Sequence, residues 1–130
     1  RSAPPPFRVR HIGLTLPRTA LYRRVDQRVD DMITRGWLDE VRLLASKYAW
    51  SLPAMSSLGY PQIGAVLRGE ITLAEAAQQI KHQTHRFVRH QYAWFRPGDP
   101  RIAWFDLLPA ASSDIVGLLA RILDEPFITQ

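Results

Sequence analysis

The segment Thr84–Arg96, THRFVRHQYAWFR, carries the residue types that bind the phosphates and bases of nucleic acids. It holds three arginines, two histidines and four aromatic residues, and it contains no acidic residue. Guanidinium groups bind phosphate oxygens through paired hydrogen bonds, and aromatic rings stack on unpaired bases. On a helix these arginines would have no carboxylate at i±4 to pair with. The segment therefore indicates contact with RNA, and the alternative is a charged face that is only solvated.

The helical spacing of this segment predicts which side of it is exposed. One stripe collects basic residues and a tyrosine: His85, Arg89, Tyr92 and Arg96. We expect this stripe to face outwards. The side that carries Phe87, Val88 and Trp94 is then expected to pack against the core.

A second arginine cluster lies on an earlier helical segment. Arg28 lies three and four residues from Val25 and Met32, which places it at the border of an apolar stripe. A half-buried guanidinium needs an anion beside it. Asp30 or Asp31 would supply one from within the chain, and a ligand diphosphate in a cleft is the alternative.

Several other chemistries lack the residues that they need. The chain has no cysteine, which excludes disulfides and thiolate metal sites. It has no G-x-x-x-x-G-K-[ST] loop for cradling phosphates. His82 and His85 have the i, i+3 spacing of metal ligands, but no carboxylate or cysteine lies near them in sequence. We predict no metal site in this chain.

Composition favours a soluble, basic protein of one domain. The chain has 130 residues, of which 46% are hydrophobic, and its formal net charge is +5. A basic surface favours polyanionic partners such as nucleic acid. No apolar run approaches the ~18 residues of a membrane span, and the start, RSAPPPF, lacks the apolar core of a signal peptide. We expect no membrane association, a cytoplasmic location, and a linker or disorder over residues 1–6.

The periodicity predicts a mostly α fold with a minimal two-stranded β pairing. The predicted helices cover residues 18–35, 37–47, 60–68, 73–95 and 114–124, and the predicted strands cover about 8–15 and 102–107. Thr72 and Glu75 form a capping box at the start of the longest helix. A two-stranded pair is marginal alone, so the strands either pair against the helices or belong to a larger sheet.

Four stretches together resemble the C-terminal part of the tRNA dimethylallyltransferases: LYRRVDQRVDDMITRGWLDEVRLL, SLGYPQ, GEITLAEAAQQIKHQTHRFVRHQYAWFR and IAWFD. Their order and spacing match the family pattern over residues 7–107. The resemblance implies a C-terminal fragment of an α/β P-loop-type transferase, whose N-terminal catalytic half is missing here. Such enzymes transfer a dimethylallyl group from dimethylallyl diphosphate to N6 of the adenine beside the tRNA anticodon, with Mg²⁺.

The resemblance also implies roles for individual residues. Arg28 would contact the prenyl diphosphate. The residues implied to contact the tRNA anticodon stem-loop are Pro53, Ser56, Gly59, Tyr60, Gln62, Thr84, His85, Arg86, Arg89, His90, Gln91 and Arg96. The family pattern has Arg where His85 and His90 stand, so we expect weaker, pH-dependent phosphate contacts there.

The fragment alone is expected to bind RNA weakly and to catalyse nothing. Two alternatives remain open. One is a free-standing helical RNA-binding module without catalysis, and the other is a structural helical domain whose basic face is only solvated.

Overall fold

The computed structural model describes residues 11–107 together with Gly117 and Ala120. The elements in chain order are β1 His11–Thr15, α1 Arg18–Thr34, α2 Trp37–Lys47, a short 3₁₀ helix Pro53–Ser56, α3 Tyr60–Leu67, α4 Leu73–Trp94 and β2 Ile102–Asp106. The predicted mostly helical fold with one two-stranded pairing is confirmed. Described helix and strand ends fall within one residue of the prediction.

Some predictions fall on other parts of the chain. The linker at residues 1–6, the start of the first strand and most of the helix at 114–124 lie outside the described residues; Gly117 and Ala120 are helical. The chain divides into two compact units, one formed by Arg18–Ala93 and the other by the two ends of the chain. The prediction of a single domain stays a prediction.

Capping interactions set the helix boundaries in the Arg18–Ala93 unit. Gly36, with φ of 100°, ends α1 and is the N-cap of α2. A residue with a side chain adopts this left-handed conformation only at a cost. At the start of α4, the Thr72 N–H donates to Glu75 at 2.7 Å and the Glu75 N–H donates to the Thr72 hydroxyl at 3.2 Å. The predicted capping box is therefore confirmed, and its hydrogen bond lowers the pKa of Glu75.

The core of the helical unit lies where its four α-helices meet. The buried cluster consists of Val29, Trp37, Val41, Ile63 and Ile80. Each helix contributes through positions that recur at helical spacing, as the sequence predicts. The indole at the first position of α2, only 5% exposed, is a core residue that the sequence patterns did not single out.

In the unit formed by the chain ends, β1 and β2 pair in parallel, with His11 opposite Ile102 and Thr15 opposite Asp106. Trp104 lies flat over Gly13, and a Cβ at that glycine would be 2.4 Å from the indole. The glycine is therefore required for the ring to approach the strand. The opposite face of β1 carries Leu14, which is 55% exposed.

The exposure of α4 corrects one prediction. Val88 is buried as expected, and Ala76 and Ile80 are buried too, but Phe87 is 58% exposed and Trp94 is 83% exposed. Periodicity identifies the inward side of a helix but not where its packing neighbours end. Because α4 has 22 residues whereas α2 and α3 have 11 and 8, the helices of the core are too short to cover its full length.

Candidate nucleic-acid interface

The second half of α4 presents arginines that have no counter-ion among residues 11–107. Arg86 and Arg89 are exposed, and so is Arg96 just beyond the helix. None of the three makes an ion pair or hydrogen bond within the described part of the chain. His90 and Gln91 are exposed beside them. We call Arg86, Arg89, His90 and Gln91 the α4 basic face.

Thr84 contributes less to this face than the resemblance implies. Its hydroxyl donates to the Ile80 carbonyl at 2.7 Å, one turn earlier in the same helix. The side chain is part-buried, so its hydroxyl proton is not available to a ligand.

His85 does not face outwards, which corrects the predicted stripe. Its Nε2 lies 2.7 Å from Oδ1 of Asp26 on α1, and the imidazole is only 19% exposed. The Tyr22 ring stacks on the imidazole with centroids 4.1 Å apart and planes within 7°. His85 therefore joins α4 to α1. Its partner lies 59 positions away, so local spacing did not identify it.

A second contact joins the same two helices one turn earlier on α4. The Lys81 ammonium lies 2.7 Å from Asp30, and the lysine is 17% exposed. Together with the His85 contact, it places two acidic residues of α1 against basic residues of α4. These contacts account for Lys81 and His85, and they leave the α4 basic face without a carboxylate from the described residues.

The opposite side of α1 carries arginines. Within the described residues, Arg28 is exposed rather than half-buried, and it pairs with neither of the predicted acids. Asp30 is taken by Lys81, and Asp31 accepts a hydrogen bond from Gln27 at 2.9 Å. The groove around Arg28 is lined by Ala20, Arg23, Arg24, Gln27, Arg28, Asp31, Met32 and Arg35. Four guanidinium groups with one carboxylate make this groove suited to an anion.

The loop between α2 and α3 is shaped by short-range contacts. Pro53 begins the 3₁₀ helix, and the Ser56 hydroxyl donates to its carbonyl at 2.6 Å; both residues are exposed. Gly59 then adopts a φ of 96° and is the N-cap of α3. Tyr60 follows, with its hydroxyl donating to Glu40 at 2.9 Å, which raises the pKa of Tyr60.

Gln62 differs from its neighbours in this turn. Its Oε1 atom is buried and has no hydrogen-bond partner within the described residues. A buried amide oxygen without a donor costs about 1–3 kcal/mol. In this conformation the oxygen does not reach a nucleotide on the surface, so Gln62 fits the predicted RNA contact less well than Ser56.

The described part of the chain offers no group of three or more His, Asp or Glu residues that would hold a metal ion. The Mg²⁺ implied by the resemblance therefore has no candidate ligands there, and we assign it no step. Among the same residues, no helix is long and apolar enough to cross a membrane.

The fold is shared with a family of tRNA-modifying transferases. The family model described as IPP transferase matches residues 1–98, and the chain belongs to this family. It is 46% identical over 121 residues to a tRNA dimethylallyltransferase of Dehalococcoides mccartyi, with 92% of this chain covered. It is 49% identical to the tRNA dimethylallyltransferase of Thermomicrobium roseum, with 79% covered.

The fold is also similar to that of a family member of known structure. The full-length tRNA isopentenylpyrophosphate transferase of Bacillus halodurans superposes with a TM-score of 0.79 at 30% identity, over 91% of this chain and 39% of that one. This chain spans 37% of the length of the Dehalococcoides relative and 31% of the Thermomicrobium relative. The predicted membership of the family, as a partial chain, is confirmed.

Proposed function

We propose that the enzyme containing this chain transfers a dimethylallyl group from dimethylallyl diphosphate to N6 of the adenine beside the anticodon of tRNA. In this proposal the chain supplies contacts to the anticodon stem-loop and one arginine to the diphosphate, and the remaining part of the enzyme supplies catalysis and binds Mg²⁺. The enzyme would act in the cytoplasm. The similarity to tRNA dimethylallyltransferases supports the reaction. One observation carries the RNA contact, namely that the α4 basic face is exposed and has no counter-ion among the described residues.

The charge arrangement of α1 and α4 favours a polyanion over a merely solvated face. Lys81 forms an ion pair with Asp30, and His85 Nε2 lies 2.7 Å from Asp26, so acidic residues are present where α4 meets α1. No such partner meets Arg86 or Arg89 among the described residues. Two like charges three positions apart on a helix repel each other by a few tenths of a kcal/mol. Phosphates of an RNA strand would remove that repulsion and release counterions.

Arg28 supports the second part of the proposal. It is exposed within a groove of four arginines and has no carboxylate partner in the described part of the chain. When the prenyl group leaves, negative charge grows on the diphosphate oxygens. A guanidinium held there stabilises that charge more strongly than it stabilises the bound substrate, and this difference lowers the barrier.

A filter-binding titration of the unaltered chain with an anticodon stem-loop RNA tests the RNA contact. Phosphate contacts give a log–log salt slope of about −0.7 to −0.9 for each phosphate neutralised. We expect weak binding with a clearly negative slope. Binding that is absent or independent of salt would show that the basic face of this chain is only solvated.

Assay of the complete gene product tests the reaction. We expect transfer of the dimethylallyl group to a tRNA anticodon arm, with release of diphosphate. A gene product that binds the RNA but lacks a segment with the G-x-x-x-x-G-K-[ST] pattern, and transfers nothing, would favour the free-standing binding module instead.

A further inference from the structure

The turn at Gly59 and Tyr60 is held from behind by the first turn of α2. Gly59 lies against Trp37 so closely that a Cβ would be 2.1 Å from the indole. Trp37 itself is 5% exposed and fixed in the core. The backbone of the turn therefore packs on a rigid surface. The absence of a Cβ at Gly59 allows the close approach, and glycine also adopts the φ of 96° without strain.

Glu40 fixes the side chain that follows. The Tyr60 hydroxyl donates to Glu40 Oε1 at 2.9 Å, across 20 positions of sequence. The Tyr60 ring also meets the Trp37 ring edge-on, with centroids 6.3 Å apart and planes at 84°. A charge-assisted hydrogen bond at one end and a ring contact at the other leave the tyrosine one orientation.

We propose that Glu40 and Trp37 are positioning residues for tRNA binding, acting through the orientation of Tyr60 and the backbone of Gly59. This inference rests on the proposed function, in which the Gly59–Tyr60 turn contacts the anticodon arm. A turn that is ordered before binding does not lose conformational freedom when RNA binds, so its affinity is higher. Neither Glu40 nor Trp37 is expected to touch the RNA.

Glu40→Ala tests this through RNA affinity. We expect the Kd for an anticodon stem-loop, measured well below the melting temperature, to rise about fivefold to tenfold because Tyr60 loses its acceptor. The rise is diagnostic because removing a carboxylate from a protein otherwise favours RNA binding. Glu40→Gln keeps an acceptor oxygen, and it should restore most of the affinity.

Asp39→Ala is the matched control. Asp39 lies in the same helical turn and forms an exposed ion pair with Arg42, so its loss changes the net charge equally without touching Tyr60. We expect unchanged or slightly tighter RNA binding. Tyr60→Phe should weaken binding as much as Glu40→Ala, and the double variant should be no weaker than either single variant, because both remove the same interaction.

The outcomes separate a positioning role from a structural one. In the complete enzyme, Glu40→Ala should raise KM for tRNA and leave KM for dimethylallyl diphosphate unchanged. If Glu40→Ala lowers the melting temperature but binds RNA as Asp39→Ala does, the positioning role is refuted while the proposed function stands. If the unaltered chain binds no RNA, both are refuted.

Discussion

Replacing the two arginines of the α4 basic face gives the sharpest test of RNA binding. The double variant is Arg86→Gln plus Arg89→Gln. Both arginine side chains are exposed and have no partner among the described residues, so we expect the free energy of unfolding to change by no more than about 0.5 kcal/mol. If each arginine neutralises one phosphate, the log–log salt slope should fall by about 0.7–0.9 per residue. At 0.1 M salt this corresponds to about a 25- to 60-fold loss of affinity for the double variant.

Lowering the positive net charge would by itself weaken RNA binding, so the control variant must have the same net charge. Arg42 and Arg101 are exposed, but each is already paired with a carboxylate, Asp39 and Asp99. Arg42→Gln plus Arg101→Gln removes the same two charges from the overall +5. Filter binding from 0.05 to 0.3 M salt compares the two double variants. Equal salt slopes for both would show that the α4 basic face makes no phosphate contacts.

Three further predictions concern the diphosphate groove, the turn and the segment before β2. Arg28→Ala in the complete enzyme should lower kcat/KM for dimethylallyl diphosphate about 10- to 100-fold with the melting temperature unchanged, and unaltered steady-state kinetics would remove Arg28 from the site. Gly59→Ala should lower the free energy of unfolding, measured by urea denaturation, by about 2–5 kcal/mol, because it combines left-handed strain with a clash against Trp37. A Cβ at Gly36 would meet nothing within 4 Å, so Gly36→Ala should lower it by only about 1–2 kcal/mol. Equal losses for the two variants would contradict the clash. Hydrogen bonds from the Arg101 side chain and backbone lower the pKa of Asp99 to about 2, below its unfolded value of about 3.9. This contact therefore stabilises the fold above about pH 4, and the stabilisation is lost as the pH falls towards 2. Asp99→Asn should make stability less dependent on pH between about 4 and about 2, and an unchanged dependence would contradict this prediction.

Sequence reasoning predicted what is local in this chain. Helix boundaries follow from proline, glycine and the capping box at Thr72, whose effects act within a few residues. It also predicted that Arg86 and Arg89 lack a carboxylate partner, because neither has an acid nearby on its own helix. It was wrong about His85, whose partner Asp26 lies on another helix. Pairing between helices depends on their packing, which helical spacing alone does not define.

Arg28 shows a second limit of sequence-based prediction, which concerns side-chain burial. Its position beside an apolar stripe predicted partial burial, but the side chain is exposed in the described residues. A border position is equally compatible with either outcome, since a long side chain extends into solvent when no neighbour covers it. Phe87 and Trp94, which periodicity placed inwards, are exposed for the different reason that the core helices are shorter than α4.

The parallel pairing of β1 with β2 has a consequence for how the chain folds. Opposite residues such as His11 and Ile102 are 91 positions apart (102 minus 11), and helices α1 to α4 lie between them. Bringing the two strands together closes a long loop, and the entropic cost of that closure is offset only once the strand hydrogen bonds form. Helices, in contrast, form from local contacts. We expect the helices to assemble first and the strands to join last, so hydrogen exchange during refolding should protect the amides of α2 before those of β2.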